Sequence, residues 1–282
     1  MLRLPFLGPY DWSLALRMIA AHAVPGAERL DTDGQSYTRL LDGPAGPQPV
    51  TARPEDGAVV VQTTNEAIEE DVAARVRHWL DVDLDPAAFL DRLAADETLG
   101  PLVRLRPGLR RIRYPETFEA VVSTVLGQQV SLAAARTFAG RLTSAYGSPG
   151  PHGLTAFPRP ERVAGVPLDE LQSTLGITGA RTRTVRAVAE LFAASGDWPV
   201  PLPAEEWEAR AAQLLALPGI GPWTVGYLRM RLFGDPDAVP VGDLVLRRAL
   251  GLARNRDVGP AMQRWRPDRT YATFQLWAST AW

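Results

Sequence analysis

Two stretches of the chain hold residue types whose spacing can do chemistry. One is Asp243, set in AVPVGDLVLRRAL; the other is Leu217-Pro218-Gly219-Ile220-Gly221-Pro222-Trp223-Thr224, which ends nineteen residues before it. An aspartate ahead of an apolar periodic segment caps a helix through its side-chain oxygen. A single carboxylate at a helix start, in apolar surroundings, can equally hold negative charge where positive charge develops. The two readings are compatible. In the upstream stretch, glycines at 219 and 221 permit positive φ and close backbone approach between two helices, and Pro222 suits the first turn of the second helix. That helix start would offer free amide N–H groups to a phosphate oxygen, a grip on a nucleic-acid backbone that is blind to base sequence.

Composition removes many alternatives. There is no cysteine, so a disulfide framework, a thiolate nucleophile, a cysteine-ligated zinc and an iron–sulfur cluster are all excluded. All 30 basic residues are arginine, which leaves no side-chain amine for Schiff-base chemistry. His22, His78 and His152 are too scattered for a metal site and read as ordinary core or surface residues. The net charge of −2 hides a division: residues 1–100 carry 17 acidic and 8 basic side chains, residues 101–282 carry 15 and 22. The later, basic part contains two clusters, Arg104, Arg106, Arg110, Arg111 and Arg113, then Arg181, Arg183 and Arg186. Each reads either as a solvated face or as phosphate contacts. No apolar run approaches the roughly 20 residues of a membrane span, and the first residues lack a secretory pattern, so a cytoplasmic protein is expected.

The elements that must position these residues fall into two regimes. The first ninety residues read as α+β. A helix runs from Trp12 to about Ala23, three β-rich segments follow at 36–41, 48–52 and 58–63, and a second helix spans Glu66 to Leu80 with Ile68, Val72, Val76 and Trp79 on one stripe. From about residue 86 the strand signal fades and helical periodicity dominates. Helix pairs are expected around Gly127, around Gly176 and Gly179, and around the 217–224 turn, while the Gly/Pro-rich stretches 42–57 and 146–160 read as loops.

At this point the residues resemble a known family. LPGIGPWTVGYL followed by PVGD is similar to the helix-hairpin-helix and Gly/Pro-Asp motif of base-excision glycosylases. PYDWS at 9–13, RPGLR at 106–110, TFEAVVSTVLGQQVS at 117–131, GITGARTRTVRAVA at 176–189 and RWRPDRTYATFQLWASTAW at 264–282 narrow the resemblance to 3-methyladenine DNA glycosylase II, the AlkA type. It covers nearly the whole chain. It implies a mainly α fold with an N-terminal α+β subdomain built on an antiparallel sheet (1–92), a central helical domain (117–235) with the hairpin at about 206–233, and a third helical part from 93–116 plus 236–282.

The resemblance also implies roles. Asp243 is the catalytic carboxylate, and Trp223, Tyr227 and Trp277 line a base pocket, although their bland reading is core packing. Two further pocket aromatics of the family are replaced here by Met18 and Leu244. Gly219, Ile220, Gly221, Trp223, Thr224, Gln128 and Gln129 contact DNA, with Gln129 standing where relatives carry a leucine wedge. The hairpin carbonyls of Leu215, Leu217 and Ile220 are candidates to hold a monovalent cation, Na+ or K+, and no other cofactor is expected.

The expected activity is hydrolysis of the N-glycosidic bond of alkylated purines in duplex DNA by base flipping, leaving an abasic site. A cationic alkylpurine is already a good leaving group, so one carboxylate is enough, and the absence of lysine argues against a lyase step. The protein is expected to act as a monomer, without membrane association and without a nucleotide cofactor. Two alternatives stand beside this: a glycosylase for deaminated or oxidised bases, and a non-catalytic damage-binding protein.

Overall fold

In the computed structural model, which describes residues 1–31, 35–43, 46–63 and 68–280, the early β-rich segments pair into one antiparallel sheet. Its strands are β1 (Leu2–Pro5), β2 (Glu28–Leu30), β3 (Tyr37–Leu41), β4 (Gln48–Glu55) and β5 (Ala58–Thr63), in spatial order β1-β5-β4-β3-β2. The register sets Leu4 opposite Val59 and Val50 opposite Thr63. The sequence pattern foresees β3, β4 and β5. It misses β1 and β2, which have four and three residues and cannot display a period. The loop reading of 42–57 is corrected: β4 extends to Glu55, with Pro49 and Pro54 near its two ends masking the strand.

Two helices complete this region. α1 (Trp12–His22) is capped by Asp11, whose carboxylate accepts the Leu14 N–H at 2.9 Å. α2 spans Glu69–Leu80, with Val72, Val76 and Trp79 buried as the stripe requires; the expected start at Glu66 lies outside the described residues.

The rest of the chain is helical, as expected. α3 (Ala87–Leu93), α4 (Leu99–Leu105), α5 (Thr117–Leu126) and α6 (Leu132–Tyr146) come first, and α5 and α6 flank the break at Gly127. A two-stranded pair then intervenes, β6 (Ser148–Pro149) and β7 (Thr155–Ala156), inside the stretch 146–160 read as loop. α7 (Pro160–Ala164), α8 (Leu168–Leu175), α9 (Gly179–Ser195) and α10 (Trp207–Leu215) follow. α11 (Pro222–Leu228) runs into a π-helical turn at Arg229–Phe233, and α12 (Leu244–Ala249), α13 (Val258–Met262) and α14 (Arg269–Thr280) end the fold.

Burial divides the apolar side chains into two main cores. One joins the sheet, α1 and α2 to residues of 99–112 and 238–278; the other gathers residues of 114–233 with Val24 and Ala27. Tyr227 packs against both, so the seam between the cores passes through it.

Buried charge ties the parts together. Arg39 of β3 donates to the Glu119 carboxylate of α5, with both side chains under 5% exposed. Asp81 receives Arg111 and Arg113 at 2.9 Å each. Arg110 donates to the carbonyls of Leu7 and Pro9 at 2.5 and 2.7 Å, and to that of Leu84. The first arginine cluster is therefore corrected on three of its five members, which are buried braces rather than a solvated face or a phosphate clamp.

Candidate active site

Three elements converge on Asp243. It is the N-cap of α12, with Oδ1 accepting the N–H groups of Val245 and Leu246 at 3.0 and 2.9 Å. Two further bonds go beyond capping. The indole N–H of Trp277 donates to Oδ1 and that of Trp223 donates to Oδ2, each at 3.2 Å. Trp277 lies on α14 and Trp223 on α11, so residues from three helices meet at one carboxylate that is only 7% exposed.

The backbone makes this meeting possible. A Cβ on Gly226 would sit 2.4 Å from the Val239 carbonyl oxygen, so only glycine lets α11 press against the segment leading to Asp243. That segment then turns, with the Asp243 N–H donating to the Pro240 carbonyl at 3.0 Å.

Trp223 and Tyr227, four residues apart on α11, stack with centroids 5.5 Å apart; Tyr227 and Trp277 lie 5.8 Å apart at 40°. Both spacings are shorter than the roughly 7 Å that two successive van der Waals contacts require for an inserted ring. A base must therefore dock against the trio's open side or part it.

The two replacement residues fare differently. Met18 is buried at 1% exposure in the first core, whereas Leu244 is half exposed beside Asp243. A cavity away from Asp243 is lined by Pro25, Gly26, Thr137, Gly140, Thr143, Ser144 and Thr155.

In the hairpin, Gly219 has φ +83°, and a Cβ there would meet Thr184 Oγ1 at 2.2 Å. Gly221 differs from expectation. It is extended at φ −120° and caps α11 with open space where a side chain would stand, so it leaves the helix start unobstructed instead of supplying positive φ. Pro222 opens α11, and the first intrahelical bond is Val225 N–H to the Gly221 carbonyl at 3.1 Å. The amides of Trp223 and Thr224 therefore sit in the first turn, where an anion is favoured.

Ile220 and Thr224 are buried side chains, and only their backbone can face a strand. Gln128 braces this turn, donating to the Gly219 carbonyl at 3.0 Å and to Thr224 Oγ1 at 2.9 Å, while Arg181 donates to the Gln128 carbonyl. Gln129 is exposed and held at φ +56°, a left-handed conformation unusual for a non-glycine residue. In the second arginine cluster, Arg183 is exposed and Arg186 lies 3.9 Å from Glu190.

Of the three hairpin carbonyls considered for a cation, that of Leu217 accepts the Ile220 N–H at 3.3 Å. Among the described residues no group of three His, Asp or Glu side chains could hold a metal, so an ion there would depend on main-chain oxygens.

Sequence reading missed Arg231 and Tyr114. Arg231 is 2% exposed, and its guanidinium lies over the rings of Tyr114, Tyr227 and Phe274 at 5.1, 5.6 and 5.8 Å. Its signal was present: positions 223, 227 and 231 repeat every four residues, which places them on one helical face.

The turn between two helices, followed by a carboxylate that caps a helix and receives two indoles, is a helix-hairpin-helix arrangement. Residues 1–118 match the AlkA N-terminal domain and residues 122–262 match the HhH-GPD superfamily base excision DNA repair protein family; the chain belongs to that superfamily. It is 40% identical over 289 residues to a probable bifunctional transcriptional activator/DNA repair enzyme AlkA of Mycobacterium tuberculosis, covering 99% of this chain and 56% of that protein. The chain thus spans little more than half of that relative. It is 29% identical to DNA-3-methyladenine glycosylase 2 of Escherichia coli, covering 97% and 95% of the two chains. Among solved structures, a 3-methyladenine DNA glycosylase from Archaeoglobus fulgidus superimposes with TM-score 0.83 over 99% of both chains, at 19% identity, a likeness of fold.

Proposed function

We propose that the protein is a monofunctional DNA glycosylase that hydrolyses the N-glycosidic bond of alkylated purines, of the 3-methyladenine and 7-methylguanine class, and leaves an abasic site. One observation carries this: the Asp243 carboxylate, poorly solvated and held from both sides by Trp223 and Trp277, borders an aromatic trio on the seam between the two cores.

The chemistry follows from charge. N3- or N7-alkylation makes a purine cationic, and electron-rich ring faces attract such a base by about 2 kcal/mol per well-placed desolvated contact. As the glycosidic bond lengthens, the sugar becomes oxocarbenium-like. A fixed carboxylate in a site with little water stabilises that charge without reorganising. Asp243 is fixed by its two amide and two indole donors, so its orientation is set before DNA arrives. The nucleotide must leave the stack to reach it, at a cost of about a few kcal/mol that damage lowers. In this reading Gln129, exposed next to the hairpin-bracing Gln128, fills the vacated gap, and the first-turn amides of α11 hold a neighbouring phosphate.

With no side-chain amine in the chain, the abasic product stays uncleaved. No cofactor is required by this scheme, and a monovalent cation on the hairpin carbonyls would only stiffen the turn. The partner is duplex DNA bearing the lesion, bound by a monomer in the cytoplasm.

Incubating the purified chain with duplexes bearing 3-methyladenine, 7-methylguanine, hypoxanthine, 1-methyladenine or 8-oxoguanine tests the reading. Free methylated purine should appear, with strand breaks only after alkali. Release of oxidised bases alone, or breaks without alkali, would contradict it.

A further inference from the structure

We infer that Arg231 is a specificity-determining residue: its buried positive charge, set behind Tyr227, lowers the preference of the site for cationic over neutral bases. The inference rests on the proposed glycosylase reading and deepens it.

The geometry is unusual for an arginine. The guanidinium is 2% exposed, no carboxylate pairs with it within 4.0 Å among the described residues, and its Nε is buried without a hydrogen-bond partner. Its counter-surface is aromatic, the rings of Tyr114, Tyr227 and Phe274. Nη1 also donates to the Tyr227 hydroxyl at 3.3 Å. The acids lining the small cavity beside it, Glu28 and Glu119, are engaged with Arg39. His22, in the same cavity, is held neutral down to about pH 3, first by burial and then by the charge of Arg231, so it adds no compensating or competing charge near neutrality.

Tyr227 is thus shared. One cation already uses its π density, and its hydroxyl accepts from the same cation, which draws electrons from the ring. A base docked against the trio's open side, about 4 Å from the Tyr227 ring, would carry its charge within about 10 Å of the guanidinium, where like charges at an effective dielectric near 20 disfavour binding by about tenfold. A neutral base does not feel this. The arrangement therefore narrows the gap between charged and uncharged lesions, in a site whose carboxylate and indoles would otherwise favour cations strongly.

The test compares single-turnover base release from duplexes carrying 7-methylguanine, which is cationic, and hypoxanthine, which is neutral. Arg231→Met and Arg231→Gln should raise the 7-methylguanine to hypoxanthine rate ratio about tenfold, while Arg231→Lys, which keeps the charge, should stay within about twofold of the native ratio. A ratio unchanged in folded, active Arg231→Met or Arg231→Gln would overturn the inference. So would failure of both neutral variants to fold while Arg231→Lys folds, since the charge would then serve stability alone. If the native protein releases neither base, the glycosylase reading itself has failed, an outcome distinct from an unaltered ratio.

Discussion

The indole N–H of Trp277 and the carboxylate of Asp243, 34 residues apart in the chain, meet at 3.2 Å, on the oxygen that also caps α12. One oxygen thus holds the helix start and the Trp277 indole in register. Trp277→Phe keeps an aromatic ring and removes the donor. The expected result is a stability loss of about 1 kcal/mol in denaturant titration and base release slowed by roughly tenfold, because the carboxylate gains freedom to turn. Native rates in that variant would show that the indole packs without orienting.

Gln129 gives a prediction in which stability and function move in opposite directions. At φ +56° its backbone costs roughly 1 kcal/mol that glycine would not incur. Gln129→Gly should therefore keep or raise the melting temperature. Its loss of side chain should reduce extrusion of the target nucleotide, read as a smaller rise in 2-aminopurine fluorescence beside the lesion. A full fluorescence rise would remove Gln129 from the gap-filling role.

The acids around Arg39 predict a pH dependence. Burial raises Glu28 and Glu116 to about 7, an effect that Arg39 offsets only in part and that the nearby Glu119 reinforces. A carboxyl whose folded value is raised holds its proton longer in the folded state, so stability falls as pH rises from about 4.5 toward 7. Glu28→Gln should flatten that decline in thermal unfolding followed from pH 5 to 8. An unchanged slope would mean that these acids are ionised alongside Arg39.

Asp81 has the opposite sign. Burial works against its charged form, but Arg111 and Arg113 outweigh it and hold the carboxyl far below the ordinary range. Its contribution is present above the unfolded carboxylate value of 3.8 and is lost as pH falls below it. Asp81→Asn leaves two buried guanidinium groups without their anion and should cost about 3–5 kcal/mol in chemical denaturation at neutral pH. A loss under about 1 kcal/mol would show that carbonyls such as that of His78, which accepts from Arg113 at 3.0 Å, already satisfy them.

Much of this arrangement was legible in the sequence, for reasons that differ by element. Periodicity located α2 and the α5–α6 break because their apolar stripes repeat over several turns. The hairpin was legible because Gly219 and Pro222 have few other uses in that order. Burial of charge was not legible: RPGLRRIR reads as basic surface, and only three dimensions show Asp81 and the carbonyls of Leu7, Pro9 and Leu84 waiting inside. Gly221 was misread because glycine has two uses, and here open space at a helix start matters rather than positive φ. Arg231 was only half legible: its four-residue spacing from Tyr227 marks a shared helical face, but nothing in the sequence shows that the rings of Tyr114, Tyr227 and Phe274 surround it.

The central claim is that the carboxylate of Asp243 performs the bond cleavage. Single-turnover release of 3-methyladenine from an alkylated duplex by Asp243→Asn, run beside a binding titration on a duplex with a stable abasic analogue, tests it most directly. The neutral amide keeps the shape: its one oxygen, in the place of Oδ1, can still accept from Val245, Leu246 and Trp277, while the amide nitrogen in the place of Oδ2 loses the bond from the Trp223 indole. The predicted result is release slowed on the order of a thousandfold with DNA affinity within about threefold of native; release near the native rate would contradict the account.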